Sequence, residues 1–273
     1  MYLKDKVAVI TGGASGIGRA TSMMLVQEQV KTVGVVDQSQ DTEQVCAGLN
    51  AEIGRPALVP FRGDAVDRDF RERVFRSLEE KHGPVSLCVP AAGITRDRLS
   101  VKVEKSNGSS RQDIYPEEDF RRVIDVDLVA PIYWALRTVA SIAVDRSKRG
   151  LKQWKHEESV QGAIILIGSV SSTGNRGQIA YATAKAGLEG AQATLAKEAI
   201  YYGVRCAIIH PGFTDTPMVR AMGEQMIAER ILPNTQLRRL IRPDEIASAI
   251  VFMLKNSAVS GQLWADAGWH PQA

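Results

Sequence analysis

The stretch from Val7 to Val26 constrains this chain more than any other. An apolar run, Val7-Ala-Val-Ile10, enters the glycine-rich Thr11-Gly-Gly-Ala-Ser-Gly-Ile-Gly18 and leaves through the helix-compatible Arg19-Ala-Thr-Ser-Met-Met-Leu-Val26. The order is strand, tight turn, helix. Gly12, Gly16 and Gly18 let the backbone turn sharply and approach a ligand closely, and the free N–H groups at a helix start favour a pyrophosphate. A second strand, Thr32-Val-Gly-Val-Val36, ends in Asp37, about twenty residues past Gly18, where a carboxylate accepts hydrogen bonds from a ribose. The spacing is Gly-x-x-x-Gly-x-Gly rather than the Gly-x-Gly-x-x-Gly of other dinucleotide folds.

Strands and helices then alternate, which predicts an α/β, doubly wound parallel sheet. Asp67 begins the clearest helix, with Phe70, Val74, Phe75 and Leu78 on one stripe and Gly83-Pro84 ending it. Further helices are expected over Glu43 to Ile53, Glu117 to Ala143, Tyr181 to Tyr201 and Asp244 to Lys255. Strands are expected over Val85 to Val89, Ala163 to Ile167, Arg205 to Ile209 and Gln262 to Ala265. Ligands of such sheets bind beyond the carboxyl ends of the strands, and Gly12, Asp37, Asp64, Gly93, Ser169 and Pro211 all follow strand ends.

Tyr181 and Lys185 are four residues apart, so a helix points both into one volume. A phenol titrates near 10, and acting as a base near pH 7 needs roughly 4 kcal/mol in favour of the phenolate. One cation about 4 Å away at an effective dielectric of about 20 is worth roughly that much, so Lys185 is expected to supply most of the shift. The same pair is common on exposed helix faces; the glycine turn and the strand-end Ser169 favour the acid-base reading.

Together these residues resemble the short-chain dehydrogenase/reductase family over almost the whole chain. The resemblance implies a single Rossmann-type domain over 1–273, with a mostly or fully parallel seven-stranded sheet and helices on both faces. It also implies hydride transfer between a nicotinamide and a carbonyl or secondary alcohol. Gly12, Ser15, Gly16, Ile17, Gly18, Asp37, Asp64, Ala65, Ala91, Gly93, Pro211, Gly212, Thr214 and Thr216 fall on cofactor-binding positions, as do Tyr181 and Lys185. Ser169 is then expected to hydrogen-bond the substrate oxygen, Tyr181 to give or take its proton, and Lys185 to tune Tyr181 and contact the nicotinamide ribose. Asp37 would repel a 2′-phosphate, and no Arg or Lys adjoins it at Gln38, Ser39 or Gln40, so NAD is expected over NADP. Ala92-Gly-Ile-Thr-Arg-Asp-Arg-Leu99 and Gly174-Asn-Arg-Gly-Gln178 are similar to 3-oxoacyl-thioester reductases and their steroid-dehydrogenase relatives. Polyol and sugar dehydrogenases stay open, as does a nucleotide-binding regulatory or scaffold protein with weak turnover. A homodimer or homotetramer, through the helix bearing Tyr181 and its neighbour, is implied by the resemblance alone.

Three departures mark the chain. Pro90-Ala91-Ala92-Gly93 stands where the family has Asn-Asn-Ala-Gly, so the turn needs other hydrogen-bond partners. Asp127 replaces the family's catalytic Asn, and an ionised carboxylate there would reduce the effect of Lys185 on Tyr181. The loop from Ser169 to Tyr181 is one residue shorter than usual, which leaves Ser171 and Ser172 as alternatives to Ser169.

Composition agrees with an enzyme rather than a nucleic-acid binder. The net charge is +3, and the basic residues Arg146 to Arg149 and Lys152 to His156 are followed by Glu157 and Glu158 with no aromatic platform. Cys46, Cys88 and Cys206 are widely spaced, which suggests buried thiols in a reducing, cytoplasmic compartment, and four unpaired histidines predict no metal site. The charged start predicts no secretory signal, and no stretch is expected to reach membrane-span length. Polar stretches near 101–115 and 145–161 read as loop insertions, the first leaving the ligand edge. Met218, Met222 and Met226 suit a small amphipathic lid or simple packing.

Overall fold

The computed structural model describes residues 1–106 and 109–269. Its first strand, β1 (Val7–Thr11), is wholly buried, which is why its sequence is continuously apolar rather than alternating. α1 (Gly16–Gln27) follows the glycine turn, and β2 (Thr32–Asp37) pairs parallel to β1. α2 (Thr42–Ile53) and β3 (Leu58–Arg62) complete this half; β3 is an edge strand, where Pro60 is tolerated because one side carries no ladder. α3 (Arg68–His82) starts at Asp67, whose side chain accepts from the Phe70 N–H at 3.0 Å.

β4 (Val85–Pro90) lies on the other side of β1. The expected first insertion is an antiparallel hairpin, β5 (Val101–Ser106) and β6 (Ser109–Ile114), and not an irregular loop. It leads into α4 (Glu117–Ile124), a π turn (Asp125–Val129) and α5 (Ala130–Lys148). The long helix thus runs past the expected end at Ala143, and the second insertion begins only at Arg149. Among the described residues this helix, Glu117–Lys148, is long and apolar enough to cross a membrane, contrary to expectation, and half of its apolar 18-residue stretch is buried in the protein. The fully buried Trp134 shows why: it packs on Phe75, and its indole N–H donates to Ala65 O at 2.9 Å.

β7 (Gly162–Ile167), α6 (Ile179–Glu198), β8 (Val204–Pro211), the short α7 (Pro217–Arg220) and α8 (Glu224–Met226), α9 (Pro243–Lys255) and β9 (Gly261–Ala265) follow. The seven-stranded sheet is parallel throughout, in the order β3-β2-β1-β4-β7-β8-β9. One core holds α1 and α9 residues such as Leu25 and Ile250 against one face, and the other holds Phe75, Trp134 and Leu188 against the opposite face. The order reverses between β1 and β4, so their carboxyl ends open a crevice.

Candidate active site

That crevice is a cleft of about 340 Å³. Of the residues expected at the cofactor, Gly12, Ser15, Gly16, Ile17, Gly18, Asp37, Asp64, Ala65, Ala91, Gly93, Tyr181, Lys185 and Thr216 all line it. Gly12 has φ +65°, and a β-carbon there would come within 2.8 Å of the Ala92 backbone, so no side chain fits between the turn and β4. No side chain caps α1 and no acidic residue sits in its first turn, which leaves its N-terminal N–H groups facing the cleft. This is the donor set a pyrophosphate needs. At the far end the Asp37 carboxylate accepts from Ala14 N at 3.1 Å and Ser39 N at 3.0 Å, bracing the glycine turn.

Other expected positions fall elsewhere. Pro211 and Gly212 line an adjoining pocket of about 80 Å³, and Thr214 lies outside both cavities, 3 % exposed, its hydroxyl donating to Gly212 O at 3.1 Å. The segment bends there because Gly212 N bonds Ala265 O at 3.1 Å, tying it to β9. In place of the missing amides at Pro90 and Ala91, Thr11 braces the β4 turn: its carbonyl accepts from Ala91 N at 3.0 Å and its hydroxyl from Ala92 N at 3.1 Å.

The adjoining pocket contains Ser169, Tyr181, Asp97 and Gln178 with apolar walls from Val170, Phe213, Met218, Val219 and Met222. Tyr181 lines both cavities. Met226 does not reach the pocket; Gly223, at φ +90°, ends the first turn and breaks the three-methionine stripe. Ser169 caps the short turn Val170–Thr173, its oxygen accepting from Ser171 N at 3.0 Å, so its own hydrogen stays available. Ser171 donates instead to Gln178 at 2.7 Å, and Ser172 lies 3.4 Å from His210. These contacts separate Ser169 from its two alternatives.

Electrostatics correct the expectation for Tyr181. Burial pushes its phenol above the usual value; Lys185 and the Ser169 hydroxyl pull it down, while Asp127 and Asp97 push it up. Lys185 is buried, donates to Ile167 O at 3.1 Å and sits 5.4 Å from the Tyr181 ring centre. Burial alone would lower its ammonium, but Asp127 and Tyr181 outweigh that and raise it. The Asp127 carboxyl lies outside the cleft, with Oδ2 3.3 Å from the ammonium.

Sequence reasoning missed Arg122, which lines the cleft and pairs with Asp64 at 2.8 Å. That guanidinium, with the Val66 N–H, holds the Asp64 carboxyl below the usual range despite the opposing effect of burial. It missed the pocket role of Asp97 as well, although that residue lay inside a phrase already singled out.

Comparison with known proteins decides the family. The model of the short chain dehydrogenase family matches residues 6–227. The chain belongs to that family. This short-chain dehydrogenase is 33% identical to the 3-oxoacyl-(acyl-carrier-protein) reductase of Thermotoga maritima, over 96% of both proteins. It is 32% identical to the acetoacetyl-CoA reductase of Synechocystis sp., covering 98% of this chain and 97% of the relative. The solved structure of gox2181 shares the fold, with a TM-score of 0.81 at 24% identity, over 98% of this chain and 99% of that one. The short-chain dehydrogenase is therefore an oxidoreductase that uses a nicotinamide cofactor, NAD or NADP, on carbonyl or secondary-alcohol groups. The glycine turn, the uncapped α1 and the acceptor Asp37 fit such a dinucleotide.

Proposed function

We propose that this short-chain dehydrogenase reduces the keto group of 3-oxoacyl thioesters and prefers NADH to NADPH. One observation carries the reading: Tyr181 is shared by the cleft at the glycine turn and the largely apolar pocket beside it, so in this reading a proton donor stands where cofactor and substrate meet. When bound, the nicotinamide supplies or accepts the hydride. In this reading Gly12, Gly16, Gly18 and the start of α1 hold the pyrophosphate, Asp37 holds the ribose, and Asp64 with Arg122 flanks the adenine. Ser169 donates to the carbonyl oxygen and Tyr181 delivers the proton that turns it into a hydroxyl. Lys185 orients the nicotinamide ribose. Val170, Phe213, Met218 and Met222 exclude water beside the acyl chain.

Two relatives of this chain, a 3-oxoacyl-(acyl-carrier-protein) reductase and an acetoacetyl-CoA reductase, support the substrate class. An NADH-oxidation screen over 3-oxoacyl thioesters, simple ketones, steroids and sugars tests it, with Tyr181→Phe as control. Turnover confined to sugars or steroids would reject the thioester reading. No turnover by wild type on the whole panel, with NADH still bound, would favour a non-catalytic nucleotide binder.

A homodimer or homotetramer also belongs to this reading. Val129 at the end of the π turn, with Tyr133, Leu136 and Val144 on α5, leaves an apolar stripe exposed. The free, buried Cys46, Cys88 and Cys206 suit a reducing compartment such as the cytoplasm.

A further inference from the structure

The π turn Asp125–Val129 interrupts the long helix where it packs on α6. Such single wide turns in a helix often mark functional positions, because they re-aim one side chain. Here the side chain is Asp127, with no solvent exposure. Its Oδ1 accepts from Ile94 N at 2.9 Å, and Oδ2 lies 3.3 Å from Lys185 Nζ without the angle of a hydrogen bond. Gly93 keeps the space open, since a β-carbon there would fall 2.9 Å from Oδ2.

An ammonium with a carboxylate at that distance forms a pair of no net charge. The pair acts on Tyr181 as a dipole rather than as a cation, and its pull on a phenolate weakens accordingly. Asp97 faces the phenol from the loop after β4 and adds a second negative group. The Ser169 hydroxyl is a further polar neighbour of the phenol, and the Lys185 ammonium in turn acts on His210, behind Ser169 on β8. Burial raises the Asp127 carboxyl above the usual carboxylate value, outweighing the opposing pull of Lys185 and the Ile94 N–H, so its charge depends on the pairing with Lys185.

We infer that Asp127 is a positioning residue that holds Lys185 in a neutral ion pair, keeps Tyr181 a phenol at neutral pH, and so sets the site for carbonyl reduction while confining alcohol oxidation to alkaline solution. The inference rests on the reading of Tyr181 as the acid-base group. In reduction the Tyr181 O–H bond breaks as the substrate O–H bond forms, the hydride comes from the reduced nicotinamide to the carbonyl carbon, and the phenolate is reprotonated from solvent. Oxidation runs the same step backwards and needs the phenolate first, which the paired Lys185 does little to stabilise.

The test is the pH profile of alcohol oxidation from about pH 6 to about pH 11 for wild type and Asp127→Asn. The rising limb of kcat should move at least about one pH unit lower in the variant, a roughly tenfold gain at a fixed pH on that limb, with KM little changed. Ultraviolet-difference titration of tyrosinate, with Tyr181→Phe as the blank, reads the same group without substrate. It should show Tyr181 protonated through the neutral range in wild type and ionising earlier in Asp127→Asn. Coincident limbs in the two proteins, or a wild-type tyrosinate already formed near pH 7, would overturn the inference. The wild-type titration decides even where the variant fails to fold. Absence of turnover on every substrate would instead strike the proposed function, leaving the titration to judge Asp127.

Discussion

Asp37 and Tyr181 bear the two clearest residue-level expectations. A 2′-phosphate against the Asp37 carboxylate costs about 2 to 4 kcal/mol at intermediate dielectric, so kcat/KM should favour NAD by roughly 30-fold or more. Asp37→Ala should close most of that gap, and equal or better NADP efficiency in wild type would end the claim. Tyr181→Phe should lower kcat by about 10² to 10⁴ while NADH binding, followed by fluorescence, is kept. The spacing of Tyr181 and Lys185 was legible because four residues are one helical turn whatever surrounds them. The phenol's charge state was not, because it depends on burial and on Asp97 and Asp127, which come from other segments.

Within single elements, local signals placed the starts and stops well and misjudged the two polar stretches. α3 illustrates the first: Asp67 caps it and Gly83 ends it, as its residue types require. Asp67→Ala should cost about 1 kcal/mol, read as a lower denaturant midpoint with unchanged slope. The hairpin illustrates the second. Its composition reads as loop, but Val101-Lys-Val103 alternates and Asn107-Gly108 is a turn signal, so period-two inspection would have found the strands. Its base is anchored by Arg98, which pairs with Asp113 and whose N–H bonds Gly177 O at 2.9 Å. α5 outran its expected end because Arg146, buried against Glu158 and Lys152 O, fastens its last turn to the following loop, a contact no local window shows.

For the whole molecule, stability and assembly are the measurable properties. His210 is fully buried, stacks on Trp264 at 4.2 Å, and is held below the usual imidazole value chiefly by burial. The unfolded chain therefore takes up this proton first as pH falls. The stability from a neutral His210 is present above about pH 6.5 and is lost as pH drops from there toward the lower folded value. Denaturant unfolding at about pH 5 and about pH 8 should show this loss, and His210→Gln should have a smaller difference. The α5 stripe carries the assembly expectation: Tyr133→Glu with Leu136→Glu should reduce the mass seen by light scattering, and an unchanged oligomer would place the interface elsewhere.

Spacing along the chain was enough to determine the strand–turn–helix entrance, the alternation that builds a parallel sheet, and the helical pairing of Tyr181 with Lys185. Those features depend on backbone geometry and on residues within a turn or two of each other. Tertiary packing alone decided that Arg122 reaches Asp64, 58 positions away, that Asp97 joins Tyr181 in one pocket, and that Tyr181 borders two cavities. Electrostatic and packing energies follow distance in space and local dielectric, and a one-dimensional pattern records neither.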